Sequence, residues 1–250
     1  MYQLTDDFMT DQQTATVEPS NDNLASLESK LINGSEKEQL QLIAQLIDLG
    51  EPGWEILMTF LPSSGLTPNA VTGKVYQSLY QIKQTKAQEF LQNNFPDGII
   101  PLKSELNIDY RPLSHLLIEQ KFQAADTLTR RKLCELAGKD AIQRKWVYFT
   151  EVEQFPPTDL QTINSLWRVY SEGKFGFSVQ RKIWLSLGQD FVKLWPKIGW
   201  KQANNWTQYP NEFIWDLSAP VGHLPLLNQL RGVRVAASLF SHPVWSEEKS

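Results

Sequence analysis

Apolar residues recur at helical spacing along nearly the whole chain, in short runs closed by glycine or proline. In "SEKEQLQLIAQLIDLG", Leu40, Ile43, Leu46 and Ile47 share one helical face. Ser35 and Glu38 form a capping box ahead of that face, and Gly50 stops the run. "PGWEILMTFL" follows with Pro52 in the first turn, where its missing N–H removes nothing the helix would use. "NAVTGKVYQSLYQI" and "TKAQEFLQNNF" repeat the style. Helix pairs joined by short turns predict a small bundle or a few HEAT-like hairpins, although no period is regular enough to define a repeat. The role expected of this unit is interaction or stabilisation.

The pattern breaks at "NNFPDGIIPLKSELNIDYRPL", where prolines, a Pro-Asp-Gly turn and a β-branched run interrupt the helical spacing. Helical spacing resumes after Pro112 in "SHLLIEQKFQAADTLTRRKLCELAG", which Gly138 ends. "TDLQTINSLWRVYSEG" carries Thr158 and Gln161 as a second capping box, and "SVQRKIWLSLG" and "QDFVKLW" read as two further short helices. "PVGHLPLLNQLRGVRVAASLF" supplies one or two more. No convincing period-2 segment occurs, so the predicted fold is all-α, a small N-terminal helical bundle plus an all-helical core domain. The division is residues 1–22 as a disordered lead, 23–93 as the bundle, 94–111 as a packed linker and 112–246 as the core.

Composition sharpens the picture in the second half only. Seven tryptophans, at 146, 167, 184, 195, 200, 206 and 215, crowd into one interval with many Phe and Tyr residues. Several lie in the Gly-, Pro- and Asn-rich stretch "GWKQANNWTQYPNEFIWDLSAP", where loops run over a surface and core packing is least regular. Aromatics placed there point to a surface for something flat and apolar, against the plainer reading of an aromatic-heavy core.

The chemistry of catalysis is thin. A net charge of −4 offers no overall attraction to nucleic acid, and local basic runs such as "TRRK" (129–132) read as solvated helix faces. Cys134 is the one cysteine, at an apolar helical position, and the three histidines show no ligand pair, so no metal site is expected. Glu151, Glu153, Asp159 and Asp216 have no specifying spacing, and capping or turn roles account for Asp159 and Asp216. Ser218, His223 and Asp216 could be drawn as a triad, but no nucleophile elbow surrounds the serine. Carbohydrate binding fits the tryptophans and little else. Arg231 and Arg234, three apart, would share a helix face, and their forked donors suit carboxylates; pairing with acidic neighbours is the equal alternative. The acidic start of the chain resembles neither a signal nor a transit peptide, no apolar run reaches the ~18–20 residues of a membrane span, and the expected setting is cytoplasmic.

"KLCELAG", "YFTEVEQFP", "TINSLW", "GKFGFSVQRKIWL", "KLWPKIGW" and "DLSAPVGHLPLLNQLRGVRV", several long motifs in this order along the chain, resemble the Genomes Uncoupled Four family over roughly residues 95–245. Residues 24–93 are more loosely similar to the helices that precede the core in cyanobacterial members. The resemblance implies a non-enzymatic, all-helical protein whose hydrophobic groove binds protoporphyrin IX and Mg-protoporphyrin IX, and which stimulates magnesium chelatase in chlorophyll biosynthesis. Its partner would be the large, porphyrin-binding chelatase subunit, with the protein a monomer, cytoplasmic or peripheral to the thylakoid membrane. Carried over by motif, Leu227, Asn228, Arg231 and Arg234 contribute to the groove, and Phe149, Trp206, Phe213 and Trp215 line it. Tyr209 stands where relatives carry tryptophan. No metal ligand is implied, and a bridging role in its loop is the simpler account of His223.

Under that reading a groove burying ~200 Å² of apolar ligand surface gains ~5 kcal/mol, of which association entropy removes several. The apolar wall would supply affinity and the arginines orientation. Segment 216–225 is then expected to close over the ligand. The rival expectation is a helical protein–protein interaction scaffold with an aromatic-rich core and no specific ligand.

Overall fold

The computed structural model describes residues 21–63, 65, 67–227 and 233–246. Five helices come first: α1 (Asn21–Asn33), α2 (Glu36–Asp48), α3 (Glu51–Ser63), α4 (Ala70–Gln81) and α5 (Thr85–Asn94). The core holds α6 (Arg111–Ile118), α7 (Phe122–Ala137), α8 (Lys139–Arg144), α9 (Phe149–Val152), α10 (Pro157–Val169), α11 (Phe177–Ser186), α12 (Phe191–Lys197) and α13 (Arg234–Phe240), with a closing 3-10 turn at Pro243–Ser246. The disordered lead expected at 1–22 lies outside the described residues through residue 20, and α1 already begins at Asn21.

Local chemistry explains most element boundaries. Ser35 caps α2 with the reciprocal Glu38 bond, and Gly138 ends α7 with φ at 95°. The second capping box does not form. Pro156 and Pro157 already fix the entry to α10, which moves Thr158 inside the first turn, away from the cap position. The run 114–138 is two helices, because Gln120 turns the chain at φ 56° between α6 and α7. A two-residue hairpin, β1 (Lys201–Gln202) with β2 (Asn205–Trp206), interrupts the all-helical pattern; it is too short to leave an alternation in the sequence.

α10 is the axis of the molecule. Leu160, Ile163, Leu166 and Trp167 are fully buried along it, each worth roughly 1.5–3 kcal/mol of burial. The stretch between α5 and α6 packs on this helix. Tyr110 Oη and Glu105 N donate to the two oxygens of buried Asp159 (2.8 and 2.9 Å), so Asp159 anchors that stretch and does not cap its own helix. On the other side α4 meets α10 at Gly73, where a Cβ would stand 2.3 Å from the Val169 carbonyl oxygen. Beside it, buried Gln77 Nε2 donates to Leu117 O, Ile118 O and Tyr170 O, joining the first five helices to the core.

A set of buried polar groups fixes the C-terminal segment. Gln180 Nε2 donates to Gly222 O (3.0 Å) and Pro225 O (2.8 Å), and Gly176 N donates to Leu224 O (3.0 Å). Leu226 N donates to Asp126 Oδ1 (2.6 Å), bonding this segment to α7 across one hundred residues of chain. Arg130 Nε lies 3.3 Å from Asp126 Oδ2, a charge contact without hydrogen-bond alignment. Burial outweighs Arg130 and the Leu226 bond, and pushes the Asp126 carboxyl up from 3.8 to about 6.

Two outcomes follow from this packing. Gly73→Val should drive α4 off α10, lowering stability by about 1–3 kcal/mol in urea unfolding; an unchanged midpoint would refute the close approach. Folded Asp126 keeps its proton to about pH 6, whereas the unfolded carboxyl loses it near 3.8. Its contribution is therefore fully present below pH 3.8 and is lost as pH rises through about 6. Asp126→Asn keeps an acceptor for Leu226 N and removes the titration. Melting curves from pH 4 to 7.5 should show the variant gaining on the wild type as pH rises, and parallel curves would contradict the assignment.

Candidate functional site

α7, the α8–α9 turn, the segment after β2, the end of the C-terminal loop and the start of α13 enclose one cleft of about 530 Å³. That volume falls within the roughly 300–1,000 Å³ of small-molecule sites. α7 contributes Arg130, Leu133 and Cys134 at helical i, i+3, i+4 spacing. Lys145 ends α8 in the left-handed region (φ 61°), which reverses the chain and brings Trp146 and Val147 to the opposite wall. The Arg144 guanidinium packs against the rings of Trp146 and Tyr148 and pairs with Glu151 through both carboxylate oxygens, holding that turn in place.

The hairpin register pairs Lys201 with Trp206 and delivers Trp206, Tyr209 and Phe213 to the rim. Arg130 Nη2 donates to Tyr209 Oη (3.0 Å), and the guanidinium carbon lies 4.8 Å from the ring centroid. Tyrosine thus presents a ring to the cleft while its hydroxyl anchors the α7 arginine. Leu226, Leu227 and Val235 complete the apolar wall.

Segment 216–225 is not a closing loop. Besides its bonds to Gln180 and Gly176, it is clamped by buried His223. The imidazole Nδ1 lies 2.7 Å from Ile198 O, and Ile214 N donates to Nε2 (3.2 Å), an arrangement that puts the ring proton on Nδ1. Burial pulls this histidine below its usual 6.5, in keeping with the neutral ring. Both ring nitrogens are committed, so His223 is neither a general base for Ser218 nor a free metal ligand. It bridges loops, as the sequence suggested. Asp216 accepts from Ser218 N (2.7 Å), the Asx role expected of it. Among the described residues no cluster of His, Cys, Asp or Glu could hold a metal ion, and no helix is long and apolar enough to cross a membrane.

The structure divides the nine residues singled out from the sequence. Trp206, Tyr209, Phe213 and Leu227 lie together in the cleft wall. Trp215 stands behind it, edge-on to Tyr209 at 5.9 Å, with its indole N–H donated to Pro210 O. Phe149 lies under the Arg234 guanidinium at 5.3 Å, and neither belongs to the described wall. Arg234, the first residue of α13, is an exposed cation on that aromatic ring, next to Val235 of the cleft wall. Asn228 and Arg231 lie outside the described residues, between Leu227 and Val235, which both line the cleft.

The crowd of tryptophans proves to be mostly core. Trp167, Trp184, Trp195 and Trp200 are buried, while Trp146, Trp206 and Trp215 are half-buried near the cleft. Trp184, Phe191, Trp195 and Trp200 follow one another at centroid spacings of 5.2–5.3 Å, and Trp206 meets Trp195 at 6.0 Å. One ring ladder thus runs from the interior to the rim. The sequence reading missed Arg130, Leu133, Lys145, Val147 and Val235. Arg130 was visible only as part of "TRRK", and a run of basic residues gives no sign of which one turns inward.

Comparison with known proteins places this geometry. The GUN4-like family profile matches residues 103–243, and that of the ARM-like repeat domain of the GUN4 N-terminus matches residues 15–96. The Ycf53-like protein of Synechocystis is 56% identical over 228 residues, covering 90% of this chain and 98% of that protein. The chloroplastic tetrapyrrole-binding protein of Arabidopsis thaliana is 41% identical over 143 residues, 54% of each chain. The solved GUN4 of Chlamydomonas reinhardtii is 40% identical, with a TM-score of 0.56, covering 59% of this chain and 94% of that one. With a core of this fold, an ARM-like helical unit ahead of it and relatives this close, the chain belongs to the GUN4 family.

Proposed function

We propose that the cleft binds a tetrapyrrole, protoporphyrin IX or Mg-protoporphyrin IX, and that the loaded protein stimulates magnesium chelatase through its large, porphyrin-binding subunit. The observation that carries the reading is the cleft itself, an apolar and aromatic hollow bordered by cations. A porphyrin is a broad apolar plate with two propionates on one edge. Leu133, Val147, Leu226, Leu227 and Val235 offer dispersion and burial to the plate, and Trp146, Trp206 and Phe213 offer ring faces. The wall is held by buried bonds at Asp126, Gln180 and His223, so little ordering entropy is left for the ligand to offset.

Among the described residues of the cleft wall, burial raises the Cys134 thiol away from the reactive thiolate, and His223, stacked near Phe213 of that wall, is committed on both nitrogens. The role is that of a non-enzymatic carrier or activator, cytoplasmic or at the thylakoid periphery. The Arabidopsis relative, named a tetrapyrrole-binding protein, supports the same ligand class.

Titration with protoporphyrin IX should shift its Soret band and quench tryptophan emission, saturating near one equivalent. Trp206→Ala and Val147→Glu should each weaken binding by about three- to ten-fold. The same variants should need proportionally more porphyrin to stimulate magnesium chelatase. Non-saturating quenching, or full stimulation by variants that no longer bind, would overturn the proposal.

A further inference from the structure

From the start of α11 to the end of β1 the chain carries five cations, Arg181, Lys182, Lys193, Lys197 and Lys201, against one carboxylate, Asp190. The whole chain has 24 basic and 28 acidic residues, so this stretch runs against its general balance. None of the five cations lines the cleft. The one carboxylate is already committed. Asp190 Oδ1 accepts from Val192 N (2.8 Å) and Lys193 N (3.2 Å), and Oδ2 lies 3.4 Å from Lys193 Nζ. Arg181 Nε donates to Phe240 O (2.8 Å), and Lys201 Nζ lies over the Trp206 ring. Lys182 and Lys197 are exposed, and among the described residues neither has a hydrogen-bond or ion-pair partner.

Helix phase sets these cations around an apolar centre. On α11 Gln180 and Trp184 are buried, which leaves Lys182, Leu185 and Ser186, at i, i+3 and i+4, on the outer face. On α12 Leu194 and Trp195 are buried, and Val192, Lys193, Pro196 and Lys197 are exposed. Trp184 and Phe191 pack at 5.3 Å across the turn that joins the two helices, so the outer faces meet at one corner. There Val192 is 75% exposed and Leu185 39%. An apolar centre inside a charged rim is the layout of a docking face. The rings of Trp184, Phe191, Trp195 and Phe240 stack behind it, so a partner would meet a surface that is already ordered.

We propose that the α11–α12 corner is the face by which the protein docks on an acidic protein surface, with Val192 and Leu185 at the centre of the contact and Lys182, Lys193 and Lys197 at its rim. The inference rests on the activator reading above and assigns to this corner the contact with the large chelatase subunit. An excess of cations with no internal partner fits a patch of carboxylates and repels a basic one, so charge selects the partner and speeds the encounter. The contact and the ligand site use separate residues, because no residue of the corner lines the cleft. One chain can then hold a porphyrin and its partner together.

The test measures binding of the full chain, loaded with protoporphyrin IX, to the immobilised large chelatase subunit. The Lys182→Glu/Lys197→Glu double variant should bind roughly 5- to 25-fold more weakly, and Val192→Ser about three- to ten-fold. Both should titrate with porphyrin within about two-fold of wild type, since neither touches the cleft. Lys30→Glu/Lys83→Glu changes the net charge equally at exposed positions of the first five helices and should leave subunit binding within about two-fold. Added salt should weaken wild type more than the corner variant. Unchanged binding in the corner variant, or equal loss in the control pair, would overturn the assignment. So would a corner variant that binds the subunit normally and loses only its retention on phosphatidylglycerol vesicles, which would give the face to a bilayer. If wild type bound porphyrin but not the subunit, the activator reading itself would fall and take this inference with it.

Discussion

One bond across one hundred residues decides whether this protein has a cleft at all. Leu226 N donates to the buried carboxyl of Asp126, so the loop that forms one wall is fastened to the helix that forms the other. Apolar surfaces left to themselves would close, because burial rewards contact without regard to shape. Here the loop is held by directed bonds, from Asp126 on α7, Gln180 on α11 and the His223 clamp to Ile198 and Ile214. Each of these groups is buried, and each would cost about 1–3 kcal/mol if left unpaired. Breaking the frame therefore costs more than closing the hollow would return. A wall made mainly of leucine, valine and aromatic rings can then stay open to a ligand.

The same reasoning explains why tryptophan is so abundant in the core. A ring ladder from Trp184 to Trp200 fills the space behind the cleft with stiff, two-torsion side chains and ends on Trp206 at the rim. Stiff neighbours keep a surface ring in position more cheaply than flexible aliphatics do, since fewer rotamers compete. Surface and core are thus one aromatic system. The two readings of the tryptophans that the sequence left open are both partly right.

What the sequence made legible was local. The cap at Ser35, the stops at Gly50 and Gly138 and the helical spacing between them depend on neighbours within one or two turns, and they survive folding unchanged. What stayed hidden was long-range or positional. Asp159 looked like a helix-start residue and serves the stretch between α5 and α6, because its partners lie about fifty positions away. Thr158 and Gln161 had capping spacing, but two prolines set the entry first. Segment 216–225 has the glycine and prolines of a mobile loop, yet its carbonyls at Leu217, Gly222, His223 and Pro225 are taken by Lys174, Gln180 and Trp200, side chains no local pattern could supply. Family resemblance named Trp206, Tyr209, Phe213 and Leu227, which line the cleft, and Arg234, which lies over the Phe149 ring.

The basic run 129–132 carries this argument to the site itself. Four consecutive polar residues on a helix must point in four directions 100° apart, so a single function for the run is geometrically excluded. Thr129 is buried and accepts the Trp167 indole N–H, Arg130 reaches Tyr209 in the cleft, Arg131 is exposed, and Lys132 holds Glu135. Helix phase, which the sequence contains, becomes chemistry only once the neighbouring elements determine which direction faces the cleft.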